Sequence, residues 1–238
     1  METGKSRQIV LAGLLVALGL VALGITLGRS FVEIKDRDRI VTVKGLAERE
    51  VAADRVIWPL VFKEIGNDMT TIYNSVNRKT DIVCAFLKEN GITDGEISVA
   101  APQILDLRAE RYSNNDTPYR YNVTAVVTVT SSQVDKVREL IKRQADLLKL
   151  GVAIVDGDYR YNTQYEFTGL NDIKPEMIEE ATRAARSAAD KFAKDSDSRL
   201  GKIRRANQGQ FVISNRDENT PYIKQVRVVT TIVYYLKD

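Results

Sequence analysis

The chain contains no histidine, and Cys84 is its only cysteine. That composition excludes a Ser-His-Asp or Cys-His nucleophile pair, a histidine-based zinc site and an imidazole proton shuttle. It also excludes an intrachain disulfide, which a domain of this length does not need if its core is large enough. Carboxylates, lysines, hydroxyls and tyrosines are left for chemistry. Carboxylates pair in sequence at Glu48 with Glu50 and at Asp156 with Asp158. A glycosidase-type pair needs about 5–10 Å across a cleft, and nothing in the sequence places either pair around one. The stretch Asp195-Ser196-Asp197-Ser198-Arg199 resembles the start of a calcium loop. Leu200 stands where that loop requires glycine and Ala206 where it requires its closing glutamate, so the match fails. No metal, no cofactor and no catalytic residue is expected.

The candidate binding residues are Tyr112, Tyr119, Tyr121, Tyr159, Tyr161 and Tyr165, which flank two polar turns. Tyrosine pairs an apolar body with a polar tip, a combination that suits ligand surfaces and equally suits half-buried strands. A basic series, Arg183, Arg186, Lys191, Lys194, Arg199, Lys202, Arg204 and Arg205, is interleaved with Asp190, Asp195 and Asp197. This mixture reads as a solvated face rather than a patch for an anionic partner. The net charge of +3 arises from 35 basic and 32 acidic residues, and such near-cancellation gives no reason to expect nucleic acid. Cys84, between Val83 and Phe86, reads as a small core residue.

The elements that must position these residues follow from hydropathy. Residues Ile9 to Leu27 form an uncharged apolar run of 19, about 28 Å as a helix and close to the roughly 30 Å of a bilayer's hydrocarbon. Lys5 and Arg7 precede it, and a mixed-charge stretch from Glu33 to Arg39 follows. The positive-inside rule then predicts a cytoplasmic N-terminus and an exported C-terminal part. A cleaved signal peptide is the competing reading, with a run longer than the usual 7–15 residues or so and no clean cleavage site. The resulting division is 1–8 cytoplasmic, 9–28 transmembrane, 29–39 linker and 40–238 exported domain.

Beyond the linker, period-two alternation predicts strands at Ile40 to Gly45 and Ala53 to Ile65, the second with Val56, Trp58, Leu60 and Phe62 on one face. Pro59 points to an edge or a bulge there. Asp68 is placed to cap a helix carrying Ile72, Val76, Val83 and Leu87, which Asn90-Gly91 ends. Ile97 to Tyr112 and Tyr119 to Thr130 read as a long hairpin, its second arm alternating through Tyr121, Val123, Ala125, Val127 and Val129. Ser132 with Asp135 would cap a second helix that buries Val134, Val137, Leu140, Ile141 and Leu148. Val152 to Thr168 looks extended. A third helix would start at Asp172, carry Pro175 in its first turn, and bury Ile178, Ala181, Ala185, Ala188 and Phe192. Strands around Ile203 to Ile213 and Tyr222 to Leu236 close the chain. The order ββαββαβαββ predicts an α+β fold with largely antiparallel sheets and three helices, preceded by one transmembrane helix.

Four segments resemble the SIMPL domain family. Val41-Thr42-Val43-Lys44-Gly45-Leu46-Ala47-Glu48 is similar to its opening VTVxGxGE-type strand, and Ala52-Ala53-Asp54 to its following xPD, with Ala53 where proline is usual. Gly91 to Pro102 with Tyr119-Arg120-Tyr121 resembles its helix end, next strand and Y-x-Y segment. Glu180-Ala181 to Ala193, with Leu200-Gly201-Lys202-Ile203, resembles its alanine-rich helix and LGKI strand. The resemblance implies an α+β domain over about residues 40–238, a periplasmic or other extracytoplasmic setting, a tendency to self-assemble and an association with stress tolerance. It supplies no catalytic residues. The expectation is a non-enzymatic, membrane-anchored protein that forms homo-oligomers as a scaffold or envelope-stress protein. The alternative is a monomeric binding module for a ligand or protein, its small molecule unknown.

Overall fold

The computed structural model describes residues 13, 15–28, 39–109, 118–155 and 159–237. Helix α1 is described over 15–28. Strands β1 (Ile40–Ala52) and β2 (Arg55–Gly66) lead to helix α2 (Met69–Glu89), then to β3 (Ile97–Val99), β4 (Gln103–Asp106) and β5 (Tyr121–Ser131). Two short helices follow, α3 (Val134–Lys142) and α4 (Asp146–Lys149), then β6 (Gln164–Glu166) and the long helix α5 (Leu170–Asp195). The chain closes with β7 (Arg199–Gln208), β8 (Val212–Asn215) and β9 (Ile223–Lys237). One sheet has the order β1-β9-β7, with β8 also paired to β9; the other has the order β3-β5-β2-β6, with β4 also paired to β5. The α+β class and its antiparallel pairing are as the sequence predicts.

Two compact units divide the chain. The larger takes Arg49–Asp172 and Ile213–Val226 and holds the main core. Val56, Trp58, Leu60 and Phe62 of β2 face inward, as do Val123, Ala125, Val127 and Val129 of β5. Helix α2 lays Ile72, Val76, Val83 and Leu87 on that face, and α3 adds Val137 and Leu140. Each buried valine, leucine, isoleucine or phenylalanine here contributes about 1.5–3 kcal/mol on leaving water, so this alternation decides which face of the sheet is covered. Asp68 caps α2 by accepting the Thr71 N–H at 2.7 Å. Gly91 ends it at φ +80°, a conformation that side chains other than glycine's rarely adopt.

The second unit takes Met1–Glu48, Ile173–Val212 and Arg227–Asp238. Its core is a seam of alanines against a sheet: Ala185, Ala189 and Ala193 of α5 pack with Val41, Ile232, Tyr234 and Leu236. Small residues at every fourth position let the helix backbone come down onto β1. Gly45 marks the closest approach, because a Cβ there would lie 1.8 Å from the Ala181 carbonyl oxygen.

Several sequence expectations are corrected by this arrangement. The second helix is broken into α3 and α4, and the break turns Leu147 into the core while Leu148 is 64% exposed. The Gln133 N–H at the start of α3 is accepted by Ser131 Oγ at 3.0 Å, in place of a Ser132–Asp135 pairing. Helix α5 buries Met177, Ala181, Ala185, Ala189 and Ala193, so Ala188 and Phe192 face outward. The strict four-residue spacing replaces a mixed three-and-four stripe because backbone approach at Gly45 selects the smallest side chains. Among the described residues of the stretch from Val152 to Thr168, only Gln164–Glu166 is strand, with a 3₁₀ turn at Tyr159–Tyr161. The first arm of the long hairpin is split into β3 and β4, and the last-but-one strand into β7 and β8. Pro59 does sit at a local edge: β6 pairs β2 only from Arg55 to Ile57, while the β2–β5 register runs unbroken past Pro59. Among the described residues no helix is long and apolar enough to cross a membrane. Most of the N-terminal third of the 9–27 run lies outside the described residues, as do the linker 29–38 and the turn before Pro118.

Candidate functional site

The larger unit carries a cleft of about 360 Å³ built by three stretches of chain. The start of β2 supplies Arg55, and β6 with the residues after it supplies Tyr165, Glu166, Phe167 and Thr168. The β8–β9 hairpin supplies Ile213 and Lys224. Period-two geometry puts Ile213 and Asn215 on one face of β8, and Asn215 lies against Lys224.

Lys224 is the residue that makes this cleft unusual. It opens the inward series of β9, in which Val226, Val228, Thr230, Ile232, Tyr234 and Leu236 are also buried. Only 8% of Lys224 is exposed. Its ammonium donates one hydrogen bond, to Asn215 Oδ1, and among the described residues no carboxylate forms an ion pair with it. Burial pushes its pKa below the ordinary lysine range, while the charge of Glu166 acts in the opposite direction. Arg55, by contrast, is matched: its Nη2 lies 2.6 Å from Glu166 Oε2, and its Nε donates to the same oxygen at 2.7 Å.

The walls are held from behind. Asp54 accepts the Thr168 N–H at 2.8 Å and the Gly169 N–H at 2.9 Å, so its carboxylate ties down the chain just where α5 begins. It does for α5 what Asp172, now inside the first turn, was expected to do. Ala53 donates its own N–H to the Tyr222 carbonyl at 2.9 Å, a bond that proline at this position would lack. The Tyr165 ring meets Tyr222 edge-on at 6.1 Å, and the Arg138 guanidinium lies 3.5 Å from the centre of the Tyr222 ring. Burial raises the Tyr165 pKa, partly offset by Arg138. In the β8–β9 turn Asp217 accepts from the Asn219 and Thr220 N–H groups. Hydrogen bonds from the Thr220 hydroxyl first, then from Arg216, bring its pKa down to about 2.

The six candidate tyrosines do not form one surface. Tyr121 pairs with Gly66 and Tyr165 with Val56, so the two are ten positions apart along β2, about 33 Å at the usual strand rise. Tyr119, 44% exposed, stays beside Tyr121, where Arg120 pairs with Asp106 at 2.9 Å. Tyr159 is 85% exposed, Tyr161 is half-buried in the same 3₁₀ turn, and Tyr112 lies outside the described residues. Of the five described candidate tyrosines only Tyr165 belongs to the cleft. Glu48 and Glu50 are not a paired acid site: Glu48 engages Arg227 and Glu50 engages Arg216, each at 3.4 Å. Arg183, Arg186, Lys191 and Lys194 share the outer face of α5 with Asp190, as a solvated face would. Burial raises the Cys84 thiol's pKa, which fits a core residue rather than a nucleophile. Sequence reasoning missed Lys224 and Arg55. The available signal was a lysine in phase with the buried residues of the last strand, where charge is out of place.

The fold and this cleft define an α+β protein of two antiparallel sheets whose alanine-seamed helix lies against one of them. The SIMPL family model, described as a protein of unknown function (DUF541), matches residues 41–232, and the chain belongs to that family. No curated protein gives a significant match. Three of the four segments that carried the resemblance have physical counterparts here: Gly45 under α5, Asp54 at the start of that helix, and the 181–193 alanine seam with Gly201 packed against the Tyr235 backbone.

Proposed function

We propose that the protein is a membrane-tethered, extracytoplasmic scaffold that assembles with copies of itself and performs no catalytic step. The observation that carries this reading is the sheet β1-β9-β7, whose outer strands, of 13 and 10 residues, have no further strand partner among the described residues. A long free edge offers a row of backbone donors and acceptors to another chain. Strand β7 carries Arg199, Lys202, Arg204 and Arg205 and no acid, so two β7 edges repel each other. The β1 edge, where Glu48 and Glu50 balance Lys44 and Arg49, carries no net charge and is the better partner. Joining β7 of one copy to β1 of the next is a head-to-tail contact, which builds rings or filaments rather than dimers.

The tether is supported by an uncharged run from Ile9 to Leu27 with basic residues ahead of it. Within its described part, Leu15 is 64% exposed and Leu27 52%, and the large apolar side chains between them are similarly bare. An all-round apolar helix of this kind suits lipid. Tethering confines the copies to one membrane, where weak edge contacts add up. The test is the mass of the full-length chain in detergent, by sedimentation with the detergent contribution subtracted. A discrete assembly of three or more copies, or a filament, supports the proposal; a single copy at every concentration overturns it, and a closed dimer overturns its head-to-tail geometry.

A further inference from the structure

The cleft beside Lys224 has the composition of a site for a small organic acid, and this holds whether or not the chain assembles. An ammonium has three donors, and Lys224 uses one of them, on Asn215. With only 8% of the residue exposed, the room left for its other donors is toward the cleft that it lines. The neighbouring Arg55 is already neutralised by Glu166 at 2.6 Å, so the charge left uncompensated in the lining is that of Lys224. Lining the cleft with it are Tyr165, Phe167 and Ile213, the last 38% exposed although apolar. The volume of about 360 Å³ falls in the range of sites for small molecules.

We propose that this cleft binds a small monocarboxylate with an apolar or aromatic body, its carboxylate held by the Lys224 ammonium and its body against Tyr165, Phe167 and Ile213. A single excess positive charge matches a monoanion; a phosphate dianion would leave one charge unmatched beside Glu166. The bound carboxylate supplies the acceptors that the buried ammonium lacks, and the apolar wall rejects small hydrophilic anions of the same charge.

The experiment is ligand-observed NMR titration of the full-length chain in detergent with phenylacetate, its neutral isostere phenylacetamide, and inorganic phosphate. Phenylacetate should bind at least about tenfold more tightly than phenylacetamide, the ratio expected of a charge-assisted hydrogen bond in a buried setting. Lys224→Met should remove that preference. Ile213→Glu, a change at a partly exposed position that keeps the strand, should abolish phenylacetate binding by offering Lys224 a carboxylate of the chain's own. Equal affinity for acid and amide, phosphate binding as tightly as phenylacetate, no phenylacetate binding at all, or full binding by Ile213→Glu would each overturn the proposal.

Discussion

Replacing Gly45 by alanine adds one methyl group at the point where α5 lies closest to β1. The new Cβ would be 1.8 Å from the Ala181 oxygen and 2.4 Å from the Ala185 nitrogen. Both atoms are helix backbone, so no change of rotamer relieves the overlap. Moving the oxygen out to an ordinary contact of 3.4 Å requires a displacement of about 1.6 Å, the difference between the two distances. A gap of about 0.5–1 Å already forfeits a quarter to a half of a dispersion contact, so a shift this large unseats the alanine seam. Overpacking commonly costs about 1–3 kcal/mol, and with backbone on both sides Gly45→Ala should cost about 3 kcal/mol or more. In a chain of this length that corresponds to a fall in Tm of about 6–12 °C. Thermal melts followed by circular dichroism would compare it with Gly95→Ala, whose added Cβ meets nothing within 4 Å and should leave stability within about 0.5 kcal/mol. If the two variants melt together, α5 does not press on β1 in the way described, and the account of the alanine seam fails with it.

Asp54→Ala should lower stability by about 1–2 kcal/mol in urea denaturation followed by Trp58 fluorescence, since it strands the Thr168 and Gly169 N–H groups. Asp54→Asn, which keeps an acceptor oxygen, should recover part of the loss. Hydrogen bonds from the Ser131 hydroxyl and then from Thr93 hold the Glu96 carboxyl at about 2 rather than 4.5. A depressed carboxylate contributes stability above its unfolded pKa and loses it as pH falls toward its folded one. The urea midpoint of the parent should therefore drop between about pH 4.5 and pH 2, and Glu96→Gln should show a shallower decline. Arg138→Ala should cost about 1 kcal/mol through the lost contact with the Tyr222 ring. Replacing Tyr119 and Tyr121 together should leave phenylacetate binding unchanged, because they sit at the opposite end of β2 from Tyr165.

What could be read from the residues was whatever depends on neighbours in sequence. Alternation at Val56, Trp58, Leu60 and Phe62 named the covered face of β2, because a strand's side chains alternate wherever it is placed. The Asp68 cap and the Asn90-Gly91 stop of α2 were legible for the same reason, since both act within one helical turn. The absence of histidine excludes whole classes of site whatever the fold. The tertiary structure decided which residues from distant segments meet. It chose Asp54 over Asp172 to hold the start of α5, from 114 positions away in the chain. It moved the buried stripe of α5 onto Ala181, Ala185, Ala189 and Ala193, because only there does a glycine on another strand admit the helix backbone. It separated the tyrosines that sequence had grouped, since Tyr121 pairs with Gly66 and Tyr165 with Val56, toward opposite ends of β2. Above all it placed Lys224 with Arg55, Tyr165 and Ile213, whose chemistry as a group comes from one buried ammonium beside a guanidinium already paired with Glu166. Those properties belong to the packed arrangement, and no stretch of the sequence contains them.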